Sequence, residues 1–271
     1  MTSNKRIETL GNFAKLQADI VKSDRWSLIA VSGEMGEGKS CFVDQLLTAC
    51  SKETKTKFTL NGNMTYKREE LNDYIDSKNQ LPEHSGINAD ELISMFFKRN
   101  WYDRNQINGV ELLNKCRDRH LIVAGCIPNF WDLDSAVLSV IRFWVHIHER
   151  GRAWVFQKSR NPFASDKWYK KDNEKKFKKH KIPYDCEGFL FEIHFPDWTP
   201  KRKKDYYSIR NVKRKNTEGQ TVKEKFSGLK GQRNILLRLL YTEGTKIKTS
   251  ELATLLGMSI RMVQYIKEGV V

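Results

Sequence analysis

The chain has 271 residues, of which 39% are hydrophobic and 30% are charged, and its formal net charge at pH 7 is +15. It contains no apolar run near the roughly 20 residues of a membrane span and no apolar leader segment, so we expect a cytoplasmic protein without a membrane span. The five cysteines form no CxxC pair, which predicts buried thiols rather than a metal site.

The first third of the chain predicts a helix and then a phosphate-binding loop. Apolar residues recur at helical spacing over residues 7–21, and a buried strand over residues 26–31 follows. Residues 28–40 read LIAVSGEMGEGKS, and a helix over residues 41–47 continues from them. In such a P-loop, glycines let backbone N–H groups surround the β-phosphate, and the helix dipole points at the anion.

Each residue of this loop has an expected role in binding ATP. Lys39 reaches the β- and γ-phosphates and is a candidate catalytic residue, while the Ser40 hydroxyl is a candidate Mg²⁺ ligand. The candidate nucleotide-binding residues are Gly33, Glu34, Met35, Gly36, Glu37, Gly38, Lys39, Ser40 and Cys41.

The remaining pattern alternates strands and helices. Strands are expected over residues 57–60, 120–126 and 189–195, helices over 67–75, 90–98, 108–119 and 132–140, and hairpin arms over 143–148 and 153–156. This alternation predicts an α/β fold, with a mainly parallel P-loop NTPase sheet flanked by helices.

An acidic pair, Asp90-Glu91, is the candidate for the hydrolytic half of the site. P-loop ATPases need a carboxylate to support Mg²⁺ and a base to orient the attacking water. We assign the metal to Asp90 and the water to Glu91. The alternative is structural, with Asp90 capping a helix and Glu91 in its first turn. Residues 83–88 make a poor strand by pattern, which leaves both interpretations open.

The middle of the chain is strongly basic. Residues 151–230 hold 22 Lys and Arg against 10 Asp and Glu, a surplus of 12. Residues 157–185 form a lysine-rich insertion with interleaved aromatic residues, and residues 199–225 resemble a basic linker. This polarisation favours a nucleic-acid partner over an ordinary solvated surface.

The last segment, residues 226–271, predicts a small all-α helix-turn-helix domain. Residues 249–268 read TSELATLLGMSIRMVQYIKE, with Ala253 at the close approach of two helices and Gly257 in the turn. A docking module of three helices for another protein is the alternative. The candidate DNA-contacting residues of the second helix are Ser259, Arg261, Met262, Gln264, Tyr265 and Lys267.

With these residues in view, the chain resembles the additional-strand P-loop ATPases, and within them viral and plasmid relatives of the FtsK/HerA DNA pumps and of zonula occludens toxin. The resemblance covers about residues 25–157. It is carried by Gly33 to Ser40, Asp90-Glu91, Arg99, and residues 119–128. It implies ATP hydrolysis coupled to DNA. From the organisation of the chain we expect an ATPase domain over residues 1–198, an oligomer, and a location in the host cytoplasm for a viral protein.

Two further roles come from this resemblance. An arginine finger is expected, with Arg99 and Arg150 as candidates. The relatives often carry Gln at the end of the sensing strand, where this chain has Cys126, so Asn129 is the candidate polar sensor of the γ-phosphate.

Two functions remain open at this stage. One is an oligomeric, ATP-driven DNA motor or remodeller of a virus or mobile element, acting in packaging, transfer or replication on duplex DNA. The other is a nucleotide-switched replication initiator or regulator that binds DNA without translocation. A small-molecule kinase is disfavoured by the basic middle segment and the tail motif.

Overall fold

The computed structural model describes residues 6–66, 68–76, 80–90, 115–214, 248–255, 259–261 and 263–264. The chain divides into two compact units, Met1–Lys213 and Arg214–Val271. No helix among the described residues is both long and apolar enough to cross a bilayer.

Unit one contains one eight-stranded sheet. Its strands are β1 (Ile7–Thr9), β2 (Ser27–Gly33), β3 (Met64–Thr65), β4 (Gly86–Ala89), β5 (Ile122–Cys126), β6 (Phe143–Glu149), β7 (Arg152–Gln157) and β8 (Phe189–His194).

The helices flank this sheet. They are α1 (Leu10–Lys22), α2 (Lys39–Thr54), α3 (Leu60–Asn63), α4 (Arg68–Asp76), a 3₁₀ turn at Phe130–Asp132, a short helix Ser135–Val140 and the lysine helix Lys170–His180. Residues 200–214 form a further helix, which we call the strap helix.

The strand order is β1-β8-β7-β6-β2-β5-β4-β3. Five of the seven pairings in the described sheet are parallel, and only β7 runs antiparallel to its neighbours β6 and β8. The expected mainly parallel sheet and the expected β6–β7 hairpin are therefore confirmed. Strand β5 lies between β2 and β4, so an additional strand separates the P-loop strand from the strand that ends at Asp90.

Apolar cores cover both faces of the sheet. One core contains Phe13, Phe42 and Leu46 beneath α1 and α2, and the other contains Phe130 and Leu71 on the opposite face. All seven residues of β2 are buried. A central parallel strand is covered on both faces, so polar and apolar residues do not alternate along it. All five cysteines are buried and free, as expected.

Three short segments differ from the sequence-based expectations. Residues 7–9, expected to be helical, form the edge strand β1, and Thr9 caps α1. Residues 57–59 are not a strand, because Thr59 caps α3 by accepting the Gly62 N–H at 3.1 Å. Gly86–Ala89, in contrast, is the buried strand β4 despite its weak pattern. Its glycine fits beneath Leu47, since a Cβ at Gly86 would lie 3.0 Å from the Leu47 Cδ2 atom.

The linker expected over residues 199–225 is not borne out for residues 200–214, which are helical. Tyr206 of the strap helix is fully buried against Leu60, Met64 and Tyr66. The charge pattern concealed this element because its sequence is mostly basic, with few apolar residues to mark a buried face.

Unit two is described over three short ranges. Residues 249–255 are helical, with Ala253 buried. The Val263 N–H donates to the Ser259 carbonyl at 3.2 Å, a helical bond, and Val263 is fully buried. The helix-turn-helix as a whole stays a prediction.

Candidate nucleotide site

The loop between β2 and α2 has the backbone that its glycines predict. Gly33 ends β2 with φ +149°, and a Cβ there would lie 2.6 Å from the Ile147 carbonyl oxygen, so only glycine fits. Gly36 and Gly38 take φ values of +91° and +97°, in the left-handed region that side chains disfavour. Gly38 directly precedes the first residue of α2, where unpaired helical N–H groups attract an anion.

Lys39 spans this loop. Its ammonium donates to the carbonyl oxygens of Gly33 and Glu34, both at 2.6 Å. The Glu37 carboxylate accepts the Glu34 N–H at 2.9 Å and closes the turn from the other side. Both of these acceptors of the ammonium are neutral carbonyl groups. From this position over the loop, the ammonium can reach a phosphate bound there.

The structure brings Ser40 and Asp90 together from positions 50 residues apart. The Ser40 hydroxyl donates to the Asp90 Oδ1 atom at 2.8 Å. Ser40 belongs to the first turn of α2, whereas Asp90 immediately follows β4. Both groups are hard oxygen ligands of the kind that Mg²⁺ prefers, so this donor pair fits the metal that the loop implies.

Three residues that the sequence analysis missed surround Asp90. The Tyr66 hydroxyl donates to Asp90 Oδ2 at 2.6 Å, and the Arg210 Nε atom lies 3.7 Å from the same oxygen. Burial and then the Asp90 charge raise the pKa of Tyr66 far above its ordinary value, so this phenol stays a donor. Burial and Asp90 likewise raise the pKa of Tyr206. No local sequence pattern marks these partners, because Tyr66 follows β3 and the other two belong to the strap helix, far from Asp90 in the chain.

The described bonds of Asp90 run to other elements, and the helix that it was expected to cap lies outside the described residues. Both carboxylate oxygens are engaged by side chains of other elements, Ser40 and Tyr66, so its side chain joins three parts of the site. Glu91, the expected base, lies outside the described residues, as does Arg99.

Strand β5, the expected sensing strand, ends beside the loop. The thiol of Cys126 is buried, its Sγ atom lies 3.9 Å from the Ser40 hydroxyl oxygen, and burial raises its pKa well above the ordinary value. Asn129, the candidate sensor, uses its side chain locally. It accepts the Trp131 N–H at 3.2 Å and donates to Asp132 at 3.2 Å. The neutral thiol is therefore the side chain of this strand that faces Ser40.

The other expected site residues lie apart from this centre. Arg150, a candidate arginine finger, is exposed and pairs with Asp197 of the same chain. In the tail, Ser259, Arg261 and Gln264 are exposed. Met262, Tyr265 and Lys267 lie outside the described residues.

The strap helix is fastened across this end of the domain by ion pairs. Arg202 donates to both carboxylate oxygens of Asp44 of α2, at 2.6 and 2.9 Å. Lys213 donates to Glu70 of α4 at 2.6 Å and to the Tyr74 hydroxyl at 3.2 Å. With Arg210 on Asp90, one helix contacts the elements on both sides of the candidate site.

Comparisons with known proteins give structural likenesses and no family. No family model and no curated protein matches the chain. The solved structures that resemble it include an Escherichia coli MS115-1 HORMA:CdnC:Trip13 complex (14% identity, TM-score 0.37) and the genome packaging NTPase B204 of Sulfolobus turreted icosahedral virus 2 with ATP-γS (10% identity, TM-score 0.34). Caenorhabditis elegans PCH-2 is a third, with 11% identity and a TM-score of 0.35.

These likenesses are partial. Each covers about half of this chain, 49%, 49% and 52%, and spans 58%, 92% and 41% of the matched chain, respectively. At such identities and TM-scores they identify no relative, so the site is interpreted from its own residues.

Proposed function

We propose that the chain is an ATP-hydrolysing, DNA-binding P-loop ATPase, acting as an oligomeric motor or remodeller of DNA in a virus or mobile element. The observation that carries this proposal is the 2.8 Å bond between Ser40 and Asp90. It joins a loop able to bind a triphosphate to a carboxylate across an additional strand, which is the arrangement that ATP hydrolysis needs.

The residues of the site have distinct roles in the proposed reaction. Loop N–H groups and Lys39 hold the β- and γ-phosphates, and Ser40 and Asp90 hold Mg²⁺. Mg²⁺ supplies charge neutralisation on the phosphate oxygens when bound. Glu91 accepts a proton from the water that attacks the γ-phosphorus, while the bond to the β-phosphate oxygen breaks and ADP leaves.

Oligomerisation belongs to the same proposal. The developing negative charge on the phosphoryl group calls for a cation that is present only in the assembled enzyme, and Arg99 or Arg150 of a neighbouring copy would supply it. Arg150 is exposed, and its partner Asp197 lies on the surface, so an exchange of partners costs little there.

The DNA partner rests on charge. The lysine helix carries six lysines in eleven residues, none of them buried. The strap helix adds Lys201, Lys203 and Lys204, all exposed. Such surfaces bind phosphates with a steep dependence on salt. The tail residues Ser259, Arg261, Met262, Gln264, Tyr265 and Lys267 are the proposed contacts to duplex DNA.

A second candidate function is a nucleotide-controlled DNA-binding switch. The contact between Arg210 and Asp90 favours it, because it links the candidate metal ligand to the strap helix, whose last residues lead into unit two. In that case ATP changes the affinity for DNA and no movement along DNA occurs.

An ATPase assay with and without duplex DNA separates these functions. The motor predicts that duplex DNA stimulates turnover and that ATP displaces a streptavidin block from a biotinylated end. The switch predicts slow turnover, ATP-dependent DNA affinity and an undisturbed block. Absence of ATPase activity in the assembled, folded protein would reject hydrolysis in both forms.

The tail is tested by removing residues 226–271. The proposal predicts that sequence preference for duplex DNA is lost while ATPase activity without DNA is retained. Undiminished DNA selection by the shortened chain would assign the tail to protein docking.

A further inference from the structure

A cavity of about 550 Å³ opens on the face of the sheet opposite α1 and α2. Its wall is mostly aromatic. The aromatic side chains that line it are Phe130, Trp131, Trp144, Trp154, Phe156 and Phe177. Cavities of this size and composition, with a few polar groups, are typical of sites for organic ligands. Nothing in the proposed ATPase reaction uses it.

The rings of the wall are held rigidly. Trp144 stacks between Phe130 and Phe156, with centroid distances of 4.5 and 4.9 Å. Trp131 and Trp154 complete the wall and are only partly buried. Because both faces of Trp144 are covered, a planar ligand would stack on Trp131 or Trp154, and few side chains would be immobilised on binding.

The polar groups among the central rings of the wall are paired or buried. The Ser32 Oγ atom accepts the Trp144 Nε1–H at 2.7 Å and is hydrogen-bonded to His146 Nδ1 at 3.0 Å. Burial lowers the pKa of His146. The Trp154 Nε1 atom is buried and has no hydrogen-bond partner among the described residues.

The other polar residues of the wall are already engaged. Asn173 donates to the Trp168 and Glu187 carbonyls at 3.3 and 3.0 Å and accepts the Glu187 N–H at 2.7 Å. Glu174 pairs with Lys178 at 2.7 Å. The wall therefore presents aromatic side chains and few open polar groups, which suit a flat ring that binds by stacking.

The mouth of the cavity is cationic. The Lys170 ammonium lies 4.7 Å from the centroid of the Trp131 ring, and Lys170 begins the lysine helix that borders the cavity. The combination of a stacking wall and a basic rim is the one that proteins use for unpaired nucleotides, whose bases stack while their phosphates meet lysine.

We propose that this cavity binds an unpaired base of a DNA single strand, with the adjoining phosphate at Lys170. A duplex cannot enter a space of this size, whereas one extruded or terminal nucleotide can. The inference deepens the proposed DNA partner and rests on it. It gives the chain a contact to unpaired DNA that is separate from the tail, which is proposed to bind duplex.

Fluorescence anisotropy of the full chain tests this, with labelled oligothymidylate and a labelled duplex hairpin of equal length as probes. Trp131→Ala should weaken single-strand binding about tenfold, the usual effect of losing one stacking surface. Trp131→Phe should restore most of it. Duplex binding and ATP binding should stay within twofold of the original.

Phe163→Ala is the matched control, because Phe163 is 93% exposed and lies outside the cavity. In the original chain, crosslinking with DNA strands that contain 5-bromodeoxyuridine should join the DNA to Trp131 or Trp154. This result does not depend on how well the variants fold. Equal losses for Trp131→Ala and Phe163→Ala, or crosslinks confined to other residues, would overturn the inference.

Three further outcomes are distinguishable. If Trp131→Ala weakened ATP binding and spared single-strand binding, the cavity would hold the base of ATP instead. If the full chain bound neither DNA form at low salt, the DNA partner itself would fall, and this inference with it. If the full chain bound duplex DNA and Trp131→Ala left the affinity for single strands unchanged, only the assignment of the cavity as a base-binding site would be rejected.

Discussion

Ser40 and Asp90 are hydrogen-bonded at 2.8 Å although β5 separates their strands in the sheet. The bond forms because β2 and β4 are both parallel to β5, so their carboxyl ends lie at the same edge. The hydroxyl at the start of α2 and the carboxylate after β4 then meet over that edge. In open α/β sheets, ligand sites lie at this edge.

Asp90→Asn should reduce the gain in ATP affinity that Mg²⁺ provides by tenfold or more. The amide keeps the shape of the side chain and removes the charge that supports the metal. Titration of a fluorescent ATP analogue with and without Mg²⁺ measures this. Asp134→Asn is the control, because an asparagine caps the helix Ser135–Val140 as well as the aspartate does. If Mg²⁺ raised the ATP affinity of Asp90→Asn as much as that of the original protein, the metal would bind at other residues.

Glu91→Gln should lower the hydrolysis rate by about a hundredfold or more and leave ATP bound. A general base contributes about 10²–10⁴-fold to such reactions, and glutamine cannot take the proton. Single-turnover hydrolysis together with a binding titration separates the two effects. Turnover at the original rate would show that another group activates the water.

Binding of Mg²⁺–ATP should loosen the strap helix around Arg210. Its guanidinium faces Asp90 at 3.7 Å, and a divalent cation on that carboxylate offsets the attraction. Hydrogen exchange of residues 200–213 should therefore rise with Mg²⁺–ATP. Arg210→Ala should remove the difference between the two states, whereas Arg202→Ala, which loses a pair to Asp44, should keep it. If Mg²⁺–ATP left the hydrogen exchange of these residues unchanged, the site at Asp90 would not be coupled to the strap helix.

Glu192 should make folding stability sensitive to acid. Burial alone would raise its pKa, but hydrogen bonds from His194, Tyr184 and Arg152 outweigh it and lower the pKa to about 2. In the unfolded chain the pKa of a glutamate is about 4.3. Its stabilising contribution is thus complete above that pH and is lost as the pH falls toward 2.

Glu192→Gln should flatten this loss. Urea unfolding at pH 6, 4 and 3 measures the free energy of unfolding for both proteins. Glu149→Gln, at a 61% exposed side chain that also pairs with Arg152, is the control and should follow the original protein. Parallel pH curves for Glu192→Gln and the original would contradict the assignment.

The sequence predicted the parts of this site that local chemistry determines. The loop glycines need left-handed backbone, so Gly36 and Gly38 mark the turn by their identity alone. The hairpin of β6 and β7 has alternating burial in β6, which a single segment displays. Contacts between distant segments have no local sequence pattern that predicts them. Strand β4 is too short and polar for a pattern, and Tyr66, Tyr206 and Arg210 meet Asp90 only in the folded chain.

The strap helix illustrates the same limit. Its lysines and arginines are typical of a linker, whereas the burial of Tyr206 and the pairing of Arg202 with the buried Asp44 show that it belongs to the domain. The aromatic cavity was equally hidden, because its wall combines side chains from β6, β7 and the 3₁₀ turn.

Equilibrium binding of ATP in the presence of Mg²⁺, to the full chain and to Lys39→Ala, tests the central claim most directly. Triphosphate held by the loop predicts saturable binding by the original protein and at least a tenfold loss in the variant, with circular dichroism unchanged. Well-folded protein that binds neither ATP nor GTP, or a Lys39→Ala variant that binds as tightly as the original, would contradict it.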